Sequence, residues 1–117
     1  MKKPIVCVNG SRSITNIDLD RFINPNHIET LILGGANGVD TLAENWAKRH
    51  DVDYMIFYPE WAIYGKSAGI RRNEAMIDIC DVLISFWDMK SPGTKHAIDY
   101  AVKKKRKVIV HLVQDLD

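Results

Sequence analysis

The sequence predicts an α/β protein: a five-stranded parallel sheet, order 3-2-1-4-5, held between two helix layers in a three-layer sandwich. Five short runs rich in valine and isoleucine alternate with segments whose apolar residues recur at helical spacing. The chain has 117 residues, 46% of them hydrophobic and 26% charged, enough for one domain that buries roughly two-thirds of its unfolded surface. Right-handed crossovers between parallel strands leave few topologies, and 3-2-1-4-5 puts the first strand at the centre.

Ile5 to Val8 is the first strand, and Ile17 to Ile23 has the spacing of a helix. Ile28 to Leu33 is the second strand. In the helix Val39 to His50, the residues Val39, Leu42, Ala43, Trp46 and Ala47 form one apolar stripe while Glu44, Lys48 and Arg49 point outward, which places Trp46 in the core. Tyr54 to Tyr58 is the third strand and Ser67 to Ile79 the next helix. Its apolar residues Ala68, Ile70, Ala75, Met76, Ile77 and Ile79 reach round more of the helix than one core face requires, leaving an apolar surface that a homodimer would cover. Val82 to Phe86, the helix Thr94 to Lys104 with Ala97, Ile98 and Ala101 on one face, and Val108 to Leu112 complete the pattern.

Residues 1–117 therefore read as a single domain without repeats or linker. Met1 to Pro4 leads straight into a strand and no apolar stretch has the length of a membrane span, so a cytoplasmic protein without membrane association is expected. Cys7 and Cys80 have no paired spacing and read as buried free thiols. The formal charge of +1 excludes a strong global field. Lys103 to Lys107 is a basic run where a helix ends; such charges suit the helix dipole and solvate the surface, and nucleic acid is not the expected partner. His27, His50, His96 and His111 show no metal-ligand spacing, so neither a metal nor a separate cofactor is expected; His96 lies close to the Gly93 loop.

Ligands of such sheets bind beyond the carboxyl ends of the strands, near the switch point between the first and fourth. Four loops lie there. Asn9 to Ser13 supplies Gly10, Ser11 and Arg12, the parts of an anion site. Gly34, Gly35, Ala36, Asn37, Gly38, Val39 and Asp40 join a strand to a helix start whose free N–H groups favour an anion; Asp40 either caps that helix or accepts hydrogen bonds from ribose hydroxyls. Pro59 to Gly65 carries Trp61 and Tyr64, which either stack a base or pack as a lid. Arg71, Arg72 and Asn73 follow in a helix's opening turns, where cations oppose the dipole unless an anion or carboxylate meets them. In the fourth loop, Ser91, Gly93 and Thr94 form a second helix start, and Trp87 either flanks a base or closes the core.

These motifs, Gly10-Ser11-Arg12, Gly34 to Asp40, Arg72-Asn73 with Met76, and Ser91-Pro92-Gly93-Thr94, together resemble the SLOG superfamily of Smf/DprA and LONELY GUY related proteins, nearest its small stand-alone YspA-like branch. The resemblance implies a Rossmann-like fold that binds nucleotides or nucleotide-derived ligands, including NAD or ADP-ribose derivatives. It also implies divergent activities, from N-glycosidic cleavage in LONELY GUY-like enzymes to single-stranded DNA binding in DprA-like members. The glutamate that follows Gly-Thr in the hydrolases is Ala97 here, and the preceding glycine pair is replaced by Lys90, Ser91 and Pro92. Glycosidic cleavage needs a carboxylate to stabilise an oxocarbenium-like transition state, and only Asp88 and Glu60 stand on candidate loops as replacements.

The expected function is therefore binding or sensing of a nucleotide-derived small molecule, with phosphates against Gly34 to Gly38 and Gly93-Thr94, and with Arg12 and Arg72 countering their charge. The alternatives are a nucleotide N-glycosidase that releases a base from a nucleoside 5′-monophosphate, and single-stranded DNA binding. On this reading Arg72→Ala weakens ligand binding by about 1.5 to 3 kcal/mol with folding intact, and Arg106→Ala changes little.

Overall fold

The computed structural model describes residues 2–113. Strands β1 (Ile5–Gly10), β2 (Thr30–Leu33), β3 (Tyr54–Ile56), β4 (Val82–Trp87) and β5 (Lys107–Leu112) form one parallel sheet in the order β3-β2-β1-β4-β5. Helices α1 (Val39–Arg49), α2 (Trp61–Tyr64), α3 (Ala68–Ile79) and α4 (Pro92–Lys103) connect them. The architecture and strand order are those expected from the alternation of runs.

Strand side chains alternate between faces, and this splits the core in two. Val6, Val8, Leu31, Leu33, Ile84 and Phe86 face α1, where Val39, Ala43, Trp46 and Ala47 meet them. Cys7, Ile32 and Leu83 face α3 and α4, packing on Met76, Ile77, Cys80, Ala97 and Ala101. Trp46 is fully buried, with its indole N–H donating to Asp20 Oδ1 at 2.8 Å. Cys7 and Cys80 are both buried free thiols in the second core.

The helix expected over Ile17 to Ile23 is absent: two single 3₁₀ turns, Leu19–Arg21 and Pro25–His27, take its place. Short polar side chains compete with helical bonding here. Asp18 accepts from the N–H of Asp20 and Asn24 from that of Asn26, and Pro25 cannot continue a helix begun before it. Leu19 and Ile23 are nevertheless buried, so the apolar spacing recorded burial rather than helix. Strand β3 ends at Ile56, two residues early, and α4 starts at Pro92, where a first-turn proline costs no hydrogen bond.

On α3, Ala68, Met76 and Ile77 are buried while Ile70 and Ile79 stay exposed, so its apolar set does extend past the core face. The lysines of the run 103–107 are exposed, but Arg106 is not merely solvated. Its guanidinium donates to the carbonyls of Ile77 at 3.1 Å and Asp78 at 2.8 Å, capping the end of α3. The run leads into the start of β5, opposite the carboxyl edge of the sheet.

Candidate functional site

At the carboxyl edge, where β1 and β4 part to connections on opposite faces, a cleft of about 460 Å³ opens. Its walls are the loop after β1 (Asn9 to Ser13), Ala36 and Asp40 at the start of α1, one side of α3, and Asp88 with Ser91 to Thr94 at the start of α4. Gly10, Ser11, Arg12, Ala36, Asp40, Arg72, Asn73, Ser91, Gly93 and Thr94 are thus brought together from loops distant in sequence.

Each wall is fixed by local chemistry. Gly38, at φ +79°, holds a conformation that costs an L side chain, and a Cβ there would lie 2.9 Å from the carbonyl of Arg12. It thereby lets the α1 start close against the β1 loop. Ser11 is buried; its N–H donates to Phe86 O at 3.0 Å and its hydroxyl accepts from the N–H of Asp88 at 3.1 Å, tying the loops after β1 and β4. Asn73 Nδ2 reaches the carbonyl of Gly93 at 3.5 Å and links α3 to the α4 start.

Neither α1 nor α4 has a side-chain N-cap. Gly38 has no side chain to offer, and the Ser91 hydroxyl donates to Asp88 Oδ2 at 3.1 Å instead. Both helices therefore start without a side-chain cap, and the α4 start, Ser91 to Thr94, lines the cleft, an arrangement that favours an anion.

Asp40, in the first turn of α1, is 7% exposed. Its Oδ2 accepts from the N–H of Ala36 at 3.1 Å, while Oδ1 has no partner. Burial lifts its carboxyl to about 6, although the Ala36 N–H, the Arg72 guanidinium, the Gly34 N–H and Arg12 all pull the other way. The half-buried Arg72 donates Nε to Asn73 Oδ1 at 2.9 Å and Nη1 to the carbonyls of Gly34 and, at 3.5 Å, Phe57. A Cβ on Gly34 would lie 2.6 Å from that Nη1, so glycine is what admits the guanidinium. Arg72 thus clamps the ends of β2 and β3, and its removal will not leave folding intact.

Four candidate residues have protein partners or lie off the cleft. Asp88 is a loop organiser rather than a free acid. Partial desolvation opposes its charge, but the N–H groups of Lys90 and Ser91, both at 2.8 Å, and the hydroxyl of Ser13 at 2.9 Å hold its carboxyl well below the usual range. Asp88→Ala should lower stability by about 1 to 2 kcal/mol through loss of these charge-assisted bonds; chemical denaturation at neutral pH measures it, and an unchanged midpoint would mean that the loop holds without them. Trp87 lies off the cleft and donates its indole N–H to Ser91 O at 3.1 Å, pinning the loop. Glu60 lines a separate recess beside β3, and His96 pairs with Glu74 at 3.0 Å between α3 and α4.

Gly34, Gly35 and Asn37 border not the main cleft but an adjoining recess of about 350 Å³, which shares Arg12, Ala36 and Arg72 with it and is walled by Tyr58, Pro59 and Trp61. Tyr64 is engaged elsewhere, its ring 4.5 Å from the Arg71 guanidinium. Sequence reading missed Asn9 and Lys66 in the cleft and Tyr58 in the recess. Alternation along β1 was the available signal for Asn9, since it must share a face with Cys7 and point towards α3.

Ala97, at the position of the hydrolase glutamate, is 1% exposed and packed in the second core. A carboxylate there would be buried among Cys7, Ile32 and Leu83.

The Gene 61 protein of Mycobacterium phage D29 is 33% identical over 79 residues, 62% of this chain, and the aligned part spans 63% of that relative's length. No solved structure matches the chain. Among the described residues no helix is long and apolar enough to cross a membrane. The family match spans residues 4–64, just over half of the chain, and so takes in both the Gly10-Ser11-Arg12 loop and the Gly34 to Asp40 loop while ending before Arg72 and the α4 start. The chain belongs to the YspA, cpYpsA-related SLOG family.

Proposed function

We propose that the cleft binds a small nucleotide-derived ligand, such as a nucleoside monophosphate or an ADP-ribose or NAD derivative, and that the protein acts as a binding or sensing domain. The observation that carries this reading is the convergence of two uncapped helix starts with Arg12 and Arg72 on one cleft at the switch point. The phosphate rests against the N–H groups of Gly93 and Thr94, near Arg12. The recess walled by Tyr58 and Trp61 offers aromatic faces for a base. Ala97 in the core, Asp88 committed to its loop and Glu60 away from the cleft favour binding over glycosidic hydrolysis.

A thermal-shift panel of nucleoside monophosphates, ADP-ribose and NAD tests the reading. Ligand at about a hundred times its Kd should add about 2.7 kcal/mol of stability, and no shift with any of them at millimolar concentration would remove it. Gly93→Ala sharpens the test. A Cβ at Gly93 meets nothing within 4 Å, so the variant should be as stable as the parent or up to about 1 kcal/mol more so. Its affinity for a ligand found in the panel should nevertheless fall, because the methyl occupies space beside the first-turn N–H groups. An unchanged affinity would take the phosphate away from α4.

A further inference from the structure

The two edges of the sheet are built differently. β5 opens on Lys107 at the end of the lysine run, and charge of that kind discourages strand pairing. β3 and the two residues after it, Tyr54 to Tyr58, carry no charge and no proline. Asp53 O accepts from the N–H of Leu31 at 2.8 Å, and the N–H of Phe57 donates to Leu33 O at 2.7 Å. By the alternation of a parallel ladder, the N–H and C=O groups of Tyr54 and Ile56 therefore point away from β2, and among the described residues nothing bonds to them. Beside this edge lies the recess that holds Glu60, about 480 Å³ in volume. Ile56, Phe57, Ala68 and Ala75 give it apolar walls, and Arg71 stands in it with Nε donating to Ser67 Oγ at 3.1 Å. Neither Glu60 nor Arg71 is in an ion pair among the described residues.

We propose that the β3 edge and this recess dock an extended segment of a partner protein, which adds a strand beside β3, sets an apolar side chain into the recess and pairs a neighbouring carboxylate with Arg71. Main-chain bonds to Tyr54 and Ile56 hold the segment whatever its sequence, and the recess selects among segments through the side chains that an added strand turns to one face. The Arg71 guanidinium, already fixed at Nε, keeps its terminal nitrogens for that carboxylate. Glu60 in the same way takes a basic residue. A second copy of the chain answers less of this chemistry, since β3 paired with itself would set Tyr54 to Tyr58 against the same run, with no charge among them. Docking here does not depend on what the cleft binds.

The test selects phage-displayed random peptides of about nine residues, long enough for one strand, on the full chain, and follows amide hydrogen exchange with the best of them made synthetically. The amides of Tyr54 and Ile56 should exchange about tenfold or more slowly with peptide bound, and the selected sequences should share an apolar residue beside an acidic one. Methylating alternate backbone nitrogens of the peptide should weaken binding about tenfold or more in one of the two registers and little in the other. Met55→Lys, at an exposed side chain on the edge, should also weaken it about tenfold; the exchange and methylation results on the unaltered chain stand even if that variant folds poorly. No enriched peptide, unchanged exchange at Tyr54 and Ile56, or equal binding by both methylated forms would overturn the proposal. So would a dimer of the free chain in light scattering whose Tyr54 and Ile56 amides are already protected, since a second copy would then hold the edge.

Discussion

Arg72→Ala will destabilise the protein by about 2 kcal/mol at neutral pH, the scale for losing hydrogen bonds from a charged donor to part-buried acceptors. The guanidinium bridges the carbonyls of Gly34 and Phe57 and is the cation facing Asp40. Its loss leaves the buried Asp40 carboxylate the N–H groups of Ala36 and Gly34 and the charge of Arg12, but takes away the larger of its two cationic neighbours. Since that carboxylate neutralises as pH falls through about 6, the cost should be smaller at about pH 5 than at about pH 8. Arg12→Ala is the contrasting variant. Arg12 is exposed, so its removal should change stability by under about 0.5 kcal/mol and weaken binding by about 1.5 to 3 kcal/mol. Urea denaturation of both proteins at the two pH values decides this. A loss for Arg72→Ala that does not depend on pH would mean that the carbonyl clamp alone is at stake.

Asp40→Asn should make the protein more stable and less functional. The folded-state carboxyl is raised from the ordinary 3.8 to about 6, so the native state holds its proton more tightly than the unfolded chain does. Stability is then greatest below the unfolded value and falls as pH rises from about 4 to about 6, after which the penalty is complete. Asparagine does not titrate, yet its carbonyl can still accept from the N–H of Ala36. The variant should therefore gain about 2 kcal/mol at about pH 8 and nothing at about pH 4. Equal gains at both pH values would show that the charge is not what costs the parent its stability. A carboxylate kept at such expense beside an unpartnered oxygen fits a group held for a ligand.

The fold was legible because each strand's burial pattern and each helix's stripe agreed with one topology. Trp46 shows this best, as its place in the stripe fixed its place in the core. The segment 17–23 was not legible in the same way: Leu19 and Ile23 are buried as the spacing implied, but the side chains of Asp18 and Asn24 diverted the backbone into 3₁₀ turns. Much of the cleft was legible from position alone, since glycine loops and arginines at strand ends converge there by topology. The direction in which a loop side chain points was not. Asp88 turned into its own loop, Trp87 turned off the cleft, and Arg72 spent its donors on backbone carbonyls that only tertiary packing brings near.

The account's central claim is that the carboxyl-edge cleft is the ligand site. Amide-resolved NMR during titration with ADP-ribose tests it most directly. The account predicts saturable shifts at Gly10 to Ser13, Ala36 to Asp40 and Gly93 to Thr94, with Lys103 to Lys107 at the far edge of the sheet unmoved. Shifts centred on that basic run, or none at millimolar ligand, would contradict it.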